Sequence, residues 1–170
     1  SDGFNFSLVA YSDDAGNQWS VGEPIVGYGN VQPSLTQKKD GSIVALMRDN
    51  GDLPSRILQS ISADDGEHWS AVDGLKIPNP GSSLHTLALP NGEWLMVNNN
   101  LEKGRNELHL NHSKDEGKTW RTIMAIEKSD NPEDSFSYPT LISSKNDEIH
   151  LSYSLRKQTK KTIVHAVIQL

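Results

Sequence analysis

The stretch Ser62-Ala63-Asp64-Asp65-Gly66-Glu67-His68-Trp69 decides the fold, because it returns. The same octet, Ser-x-Asp-x-Gly-x-x-Trp, stands at Ser12, Asp14, Gly16, Trp19 and at Ser113, Asp115, Gly117, Trp120. Successive copies lie 50 and 51 residues apart, and three of the four tryptophans fall inside them. A fixed motif at a steady period of this size marks a repeat architecture. Within each copy the Asp can accept backbone N–H groups as in an Asx-turn, the Gly supplies a positive φ, and the Trp packs between strands. The octet therefore reads as a staple on the outer edge of each repeat. Its acidic runs lack the spaced ligands and closing Glu of an EF-hand loop, so calcium is not expected there.

A second repeat interleaves with the first. The dipeptides Asp40-Gly41, Asn91-Gly92 and Asn146-Asp147 each separate two apolar-rich runs, the pattern of a hairpin in which both turn residues tolerate positive φ. The runs are 31–36 with 42–47, 84–89 with 93–97, and 138–143 with 148–153. Third strands enter the octets over 5–11, 56–61 and 107–112, and a fourth follows each Trp. Ile149, Leu151 and Tyr153 alternate with His150, Ser152 and Ser154, the period of a half-buried strand. Four short antiparallel strands in about 50 residues make a propeller blade, so the expected fold class is an all-β β-propeller. A β-sandwich lacks such a period. The expected division is 1–28 as the end of a blade, 29–78 and 79–130 as complete blades, and 131–170 as an incomplete last blade. Closing a propeller takes four or more blades. With no initiator Met, the chain is expected to be part of a longer propeller or to assemble with a missing half or with itself.

Composition narrows the function classes. The 170 residues carry 16 Lys+Arg against 22 Asp+Glu, a formal net charge of −6, which argues against a general nucleic-acid partner. Cysteine is absent, which excludes disulfides, thiolate metal sites and cysteine nucleophiles. No apolar run approaches the roughly 18 residues of a membrane span. No cofactor is expected. His109 and His112 stand three apart on a strand and so point to opposite faces, which does not suit one shared metal ion.

The octet resembles the Asp-box of the sialidase (neuraminidase) superfamily. The runs Val31-Gln32-Pro33-Ser34-Leu35, Asp40 to Asp49, Pro78-Asn79-Pro80 and Tyr138 to Tyr153 are similar to its bacterial branch with BNR-type repeats. The resemblance implies about half of a six-bladed propeller of sialidase type, a secreted or periplasmic location, and an acidic glycan as substrate. Sialidases hold the sugar carboxylate with arginines, whose rigid fork suits it, and attack with a Tyr activated by a Glu. Position by position the resemblance implies Arg48, eight residues past the Asp40 turn, and Arg105, eight before Ser113, as carboxylate ligands. It implies Tyr138, eight before Asn146, as nucleophile. The Glu position falls on Gln32, which has no ionisable proton and cannot act as a base. The first arginine and the Asp acid/base fall outside this chain.

The same register places Ser83 beside Gln32 and Tyr138, and Ser34, His85 and Thr140 two residues on. Inner strands of blades line the central channel, so His85 is a candidate acid/base. Asn98, Asn99 and Asn100 offer amides to sugar hydroxyls, Asn99 being the candidate for substrate binding. Blander readings stand beside these. Arg48 could pair with Asp49 or Asp52, and Arg56 is a weaker alternative to it; Arg105 could be an ordinary loop residue. Tyr138 could cap its strand, and His85 could be a satisfied strand histidine. The cluster Arg156, Lys157, Lys160, Lys161 reads as a solvated hairpin tip. Two functions remain open: a sialidase-like glycoside hydrolase, or a propeller that binds glycan or protein without chemistry.

Overall fold

The computed structural model of the chain describes residues 4–145 and 148–169; the Asn146-Asp147 turn lies outside them. Every element among the described residues is a strand, and no helix is long and apolar enough to cross a membrane. Four strands, β1 (Phe4–Ser7), β2 (Ala10–Tyr11), β3 (Ser20–Val21) and β4 (Ile25–Tyr28), form two short ribbons, β1–β4 and β2–β3. A four-stranded antiparallel meander follows: β5 (Asn30–Gln37), β6 (Ile43–Asp49), β7 (Arg56–Ser62) and β8 (Asp73–Pro78). The next has the same order: β9 (His85–Ala88), β10 (Trp94–Asn98), β11 (Glu107–Ser113) and β12 (Arg121–Lys128). The last sheet holds β13 (Ser135–Ser143), β14 (Ile149–Lys157) and β15 (Lys160–Ile168). This is the blade architecture of a β-propeller, present in part.

The second strand of each complete meander explains why the sheets stack. Val44–Met47 and Trp94–Val97 are unbroken apolar runs, buried on both faces. Alternate residues must then serve two different cores. Ala45 and Met47 pack with Val9 and Ile25 of the preceding ribbons. Val44 and Leu46 pack with Leu84, Trp94 and Met96 of the next sheet. Leu95 and Val97 face Phe136, Leu141 and Leu151 of the last. Tyr153 adds an edge-on contact with Phe136, and its hydroxyl donates to Glu127 at 2.5 Å. The outer faces of the first and last sheets leave Phe6, Leu8, Val26 and Tyr28 exposed at one end, and Ile142, Ile163 and Val167 at the other.

The three octets are built alike. In each, the Ser hydroxyl donates to the Asp carboxylate at 2.8 Å and accepts the Gly N–H at 2.8–2.9 Å. The Asp also accepts the N–H four residues on, and the Trp indole donates to the Gly carbonyl. Positive φ extends one residue further than expected, to Ala15, Asp65 and Glu116 ahead of each Gly. Backbone donation from Gln18 and from His68 leads in holding Asp14 and Asp64 below the usual carboxylate range, Asp64 at about 2; the Thr119 hydroxyl leads for Asp115.

Two expectations are corrected. The strand expected over 5–11 is split into β1 and β2. The partner segment Glu23-Pro24 leaves the ladder between them, because Pro24 has no N–H and the Glu23 N–H goes to the Glu67 carbonyl of the neighbouring octet, while the Gly22 N–H still donates to the Val9 carbonyl at 3.0 Å. The Asp-Gly and Asn-Gly hairpins are three-residue loops, closed by Lys38 N–H to Ser42 and Leu89 N–H to Glu93. In them only Gly41 and Gly92 have positive φ, the geometry of a turn ending in a glycine bulge.

Ser62→Ala leaves the buried Gly66 N–H unpaired and is expected to lower stability by about 1–3 kcal/mol, read as a shifted urea midpoint. Ser12→Ala, in the exposed first copy, is expected to cost less. Lowered Asp pKa values stabilise the fold above the unfolded value of 3.8 and cease to do so as pH falls through about 2. Urea midpoints measured across that window should therefore fall with pH.

Candidate functional site

The inner strands β5, β9 and β13 run side by side. The Ser34 hydroxyl accepts the Thr86 N–H at 2.9 Å and meets the Thr86 hydroxyl at the same distance, tying β5 to β9. On the other side the Leu141 N–H donates to Nδ1 of His85 at 3.1 Å, tying β9 to β13. The three equivalent positions Ser34, His85 and Thr140 thus come together, and the side chains ahead of them form an open cavity of about 300 Å³. Its wall includes Gln32, Ser83, His85, Tyr138 and Thr140.

Gln32 and Tyr138 are presented by the same device. Each lies in a bulge: Gln32-Pro33 between the pairs Val31–Arg48 and Ser34–Leu46, Tyr138-Pro139 between Ser137–Ser154 and Thr140–Ser152. Both residues have φ of 56°. A non-glycine residue held there costs energy, and such strain gathers at functional sites. The proline that follows drives its predecessor out of the right-handed helical region and removes a ladder N–H. Tyr138 is left 53% exposed, so it does not cap its strand as a buried phenol would. Ser83 has no such bulge, is buried, and its hydroxyl has no protein partner.

The strand registers define a further set of equivalent places. Two residues beyond the partners of Ser34, His85 and Thr140 on the second strands stand Arg48, Asn99 and Ser154. Arg48 is half-buried, and among the described residues its side chain makes no hydrogen bond or ion pair; its Nε is buried with no partner. Asp49 is occupied by the N–H groups of Gly51 and Arg56, and Asp52 by the Tyr28 hydroxyl, so neither neutralises Arg48. Arg56 is spent in an ion pair with Glu102 at 2.8 Å. Arg105 donates to the Gly81 carbonyl at 3.2 Å and among the described residues has no carboxylate partner. Neither Arg48 nor Arg105 is part of the cavity wall; Arg105 holds the segment that leads into β9 through the Gly81 carbonyl.

Asn99 requires a correction. It is fully buried, and its amide donates to the carbonyls of Glu107 at 2.6 Å and Phe136 at 2.9 Å. The Phe136 N–H in turn donates to the Arg105 carbonyl at 2.8 Å. Asn99 is thus a brace that fixes the strand two residues before Tyr138, not an amide offered to a sugar. Asn98 is likewise buried and accepts from Asn111. The sequence could not reveal this, because the Phe136 carbonyl comes from the next sheet.

Burial alone pushes the His85 pKa below that of an ordinary histidine. His109 and His112 approach different carboxylates, Glu107 and Glu93. Asp64, Glu67 and His68 bring metal-capable atoms within 4.8 Å of one another, but on an exposed octet where Asp64 is already bonded to Ser62 and His68.

The BNR repeat-like domain family matches residues 5–151. No curated protein sequence matches closely enough to name a relative. Among solved structures, the Hadza microbial sialidase Hz136 aligns at a TM-score of 0.76 and 18% identity, over 95% of this chain and 31% of that one. A leech intramolecular trans-sialidase aligns at 0.70 and 20%, over 94% and 26%. The α-L-arabinofuranosidase Arb93A from Fusarium graminearum aligns at 0.65 and 17%, over 82% and 45%. The chain spans less than half the length of each, and at these identities the likeness shows the shared fold.

Asn99→Ala, which removes the amide from the buried Phe136 carbonyl and the part-buried Glu107 carbonyl, is expected to destabilise by about 1–3 kcal/mol in urea titration. Gln32→Val puts a β-branched residue at positive φ and is expected to cost about 1–2 kcal/mol, whereas Gln32→Gly is expected to cost nothing. Thermal unfolding of the pair checks this.

Proposed function

The chain belongs to the BNR repeat-like domain family, and on that premise we propose that it supplies part of the active site of a glycoside hydrolase that removes terminal acidic sugars, such as sialic acid, from glycans. The observation that carries the reading is the cavity where the exposed Tyr138, on its left-handed bulge, meets Gln32 and His85. Arg48 and Arg105 support it, since both guanidinium groups lack a carboxylate partner and retain their charge for a ligand. In this scheme they receive the sugar carboxylate. The Tyr138 oxygen bonds the anomeric carbon as the glycosidic C–O bond breaks, and an acid outside this chain protonates the leaving oxygen. Gln32 offers hydrogen bonds where related enzymes place a carboxylate, so the base is also supplied from elsewhere. Such an enzyme works where glycans are displayed, outside the cytoplasm.

A second reading, a propeller that binds glycan without turning it over, is favoured by one observation: among the described residues no Asp or Glu lies on the cavity wall. Hydrolysis of a fluorogenic sialoside separates the two. For an enzyme, Tyr138→Phe should lower kcat by about a thousandfold or more. Arg48→Ala and Arg105→Ala should each weaken substrate binding by about ten- to a hundredfold, as for a lost charged hydrogen bond. Wild-type binding without turnover, unchanged in Tyr138→Phe, would establish the binding module instead.

A further inference from the structure

We propose that His85, together with Ser83 two residues before it, reads the uncharged oxygens of the bound sugar, His85 acting through Nε2–H as a fixed hydrogen-bond donor and not as an acid or base. This rests on the carbohydrate reading of the cavity and refines it.

The argument begins at the Leu141 N–H, which lies 3.1 Å from Nδ1 of His85. A backbone amide can only donate, so Nδ1 must present its lone pair. In a neutral imidazole the proton then sits on Nε2. Protonating the ring would set an N–H against the Leu141 N–H and break the tie between β9 and β13. No carboxylate pairs with the ring to offset that cost, and the one influence on its titration is burial, which favours the neutral form. No described group takes up Nε2, and the ring lines the cavity. Nε2–H is therefore a donor held in place by the neighbouring strand. Turning it into a base would sacrifice an inter-sheet bond.

The rest of the wall agrees. None of its residues is Asp, Glu, Lys or Arg; its polar members are Gln32, Ser34, Ser83, His85, Tyr138 and Thr140. A neutral lining of amide, hydroxyl and imidazole pairs with sugar hydroxyls or with the carbonyl of an acylamino group. It offers a carboxylate no compensating charge. Ser83 adds the second observation: it is 5% exposed, and its hydroxyl has no protein partner. A ligand oxygen reached by rotation about its χ1 removes that deficit. Charge recognition then falls to Arg48 and Arg105, outside the wall, and oxygen recognition to Ser83 and His85 on β9 and the segment before it.

Nitrogen-15 NMR of the histidine rings tests this directly, with N-acetylneuraminic acid and its methyl ester as probes. The free protein at neutral pH is expected to carry the His85 proton on Nε2, and both sugars are expected to shift that resonance. His85→Ala should weaken binding by about tenfold and Ser83→Ala by about three- to tenfold, as for one neutral hydrogen bond. His85→Gln, which restores an N–H donor, should recover most of the loss. A proton on Nδ1, or a His85 signal that neither sugar moves, overturns the assignment. The ester separates this from the reading of the arginines. If ester and acid bind equally while both shift His85, the carboxylate clamp fails and the β9 assignment stands.

Discussion

Burial of β6 and β10 on both faces is the constraint from which the rest follows. A strand that is apolar on alternate residues can rest one face on a core and wet the other. Val44–Met47 and Trp94–Val97 have no such face to spare. Each must be covered twice, which forces sheet upon sheet and links the three cores into a row. Removing any sheet would expose one side of its neighbour's central strand. The open apolar surfaces at the two ends, Phe6 to Tyr28 and Ile142 to Val167, are what remains where the row stops.

Stacking in this way also makes the candidate site. The first strand of each sheet is carried to the same side of the row, where β5, β9 and β13 exchange the bonds Ser34–Thr86 and His85–Leu141. These are side-chain to backbone contacts between sheets, not ladder bonds, so they bring residues 32, 85 and 138 onto one cavity without merging the sheets. The bulges then turn Gln32 and Tyr138 out of the pleat at the place where the strands converge. Asn99 and the Arg105 carbonyl hold the approach to Tyr138 from behind.

What was legible in the sequence was local. The octets could be read because Ser, Asp, Gly and Trp satisfy one another within eight residues, and the hairpins because Gly41 and Gly92 stand where a left-handed residue is needed. The inner-strand register could be read from its fixed distance to those turns. The positive φ at Gln32 and Tyr138 could not, since neither residue type favours it and the following prolines give only a weak hint. Asn99 looked like a ligand amide because its partners belong to another sheet. The partnerless state of Arg48 was equally hidden, because it depends on Asp49 and Asp52 being engaged by Gly51, Arg56 and Tyr28. Local chemistry was visible; whatever depended on the neighbouring blade was not.

The equivalence of Arg48, Asn99 and Ser154 has a wider consequence. One backbone address, repeated around the stack, carries a cation and a small hydroxyl beside a bulge, and an amide where the first strand has none. A scaffold of this kind separates its alphabet from its spelling: side chains at the address can be exchanged during divergence while the frame endures. Proteins sharing the frame are then free to differ at this address while their sheets persist.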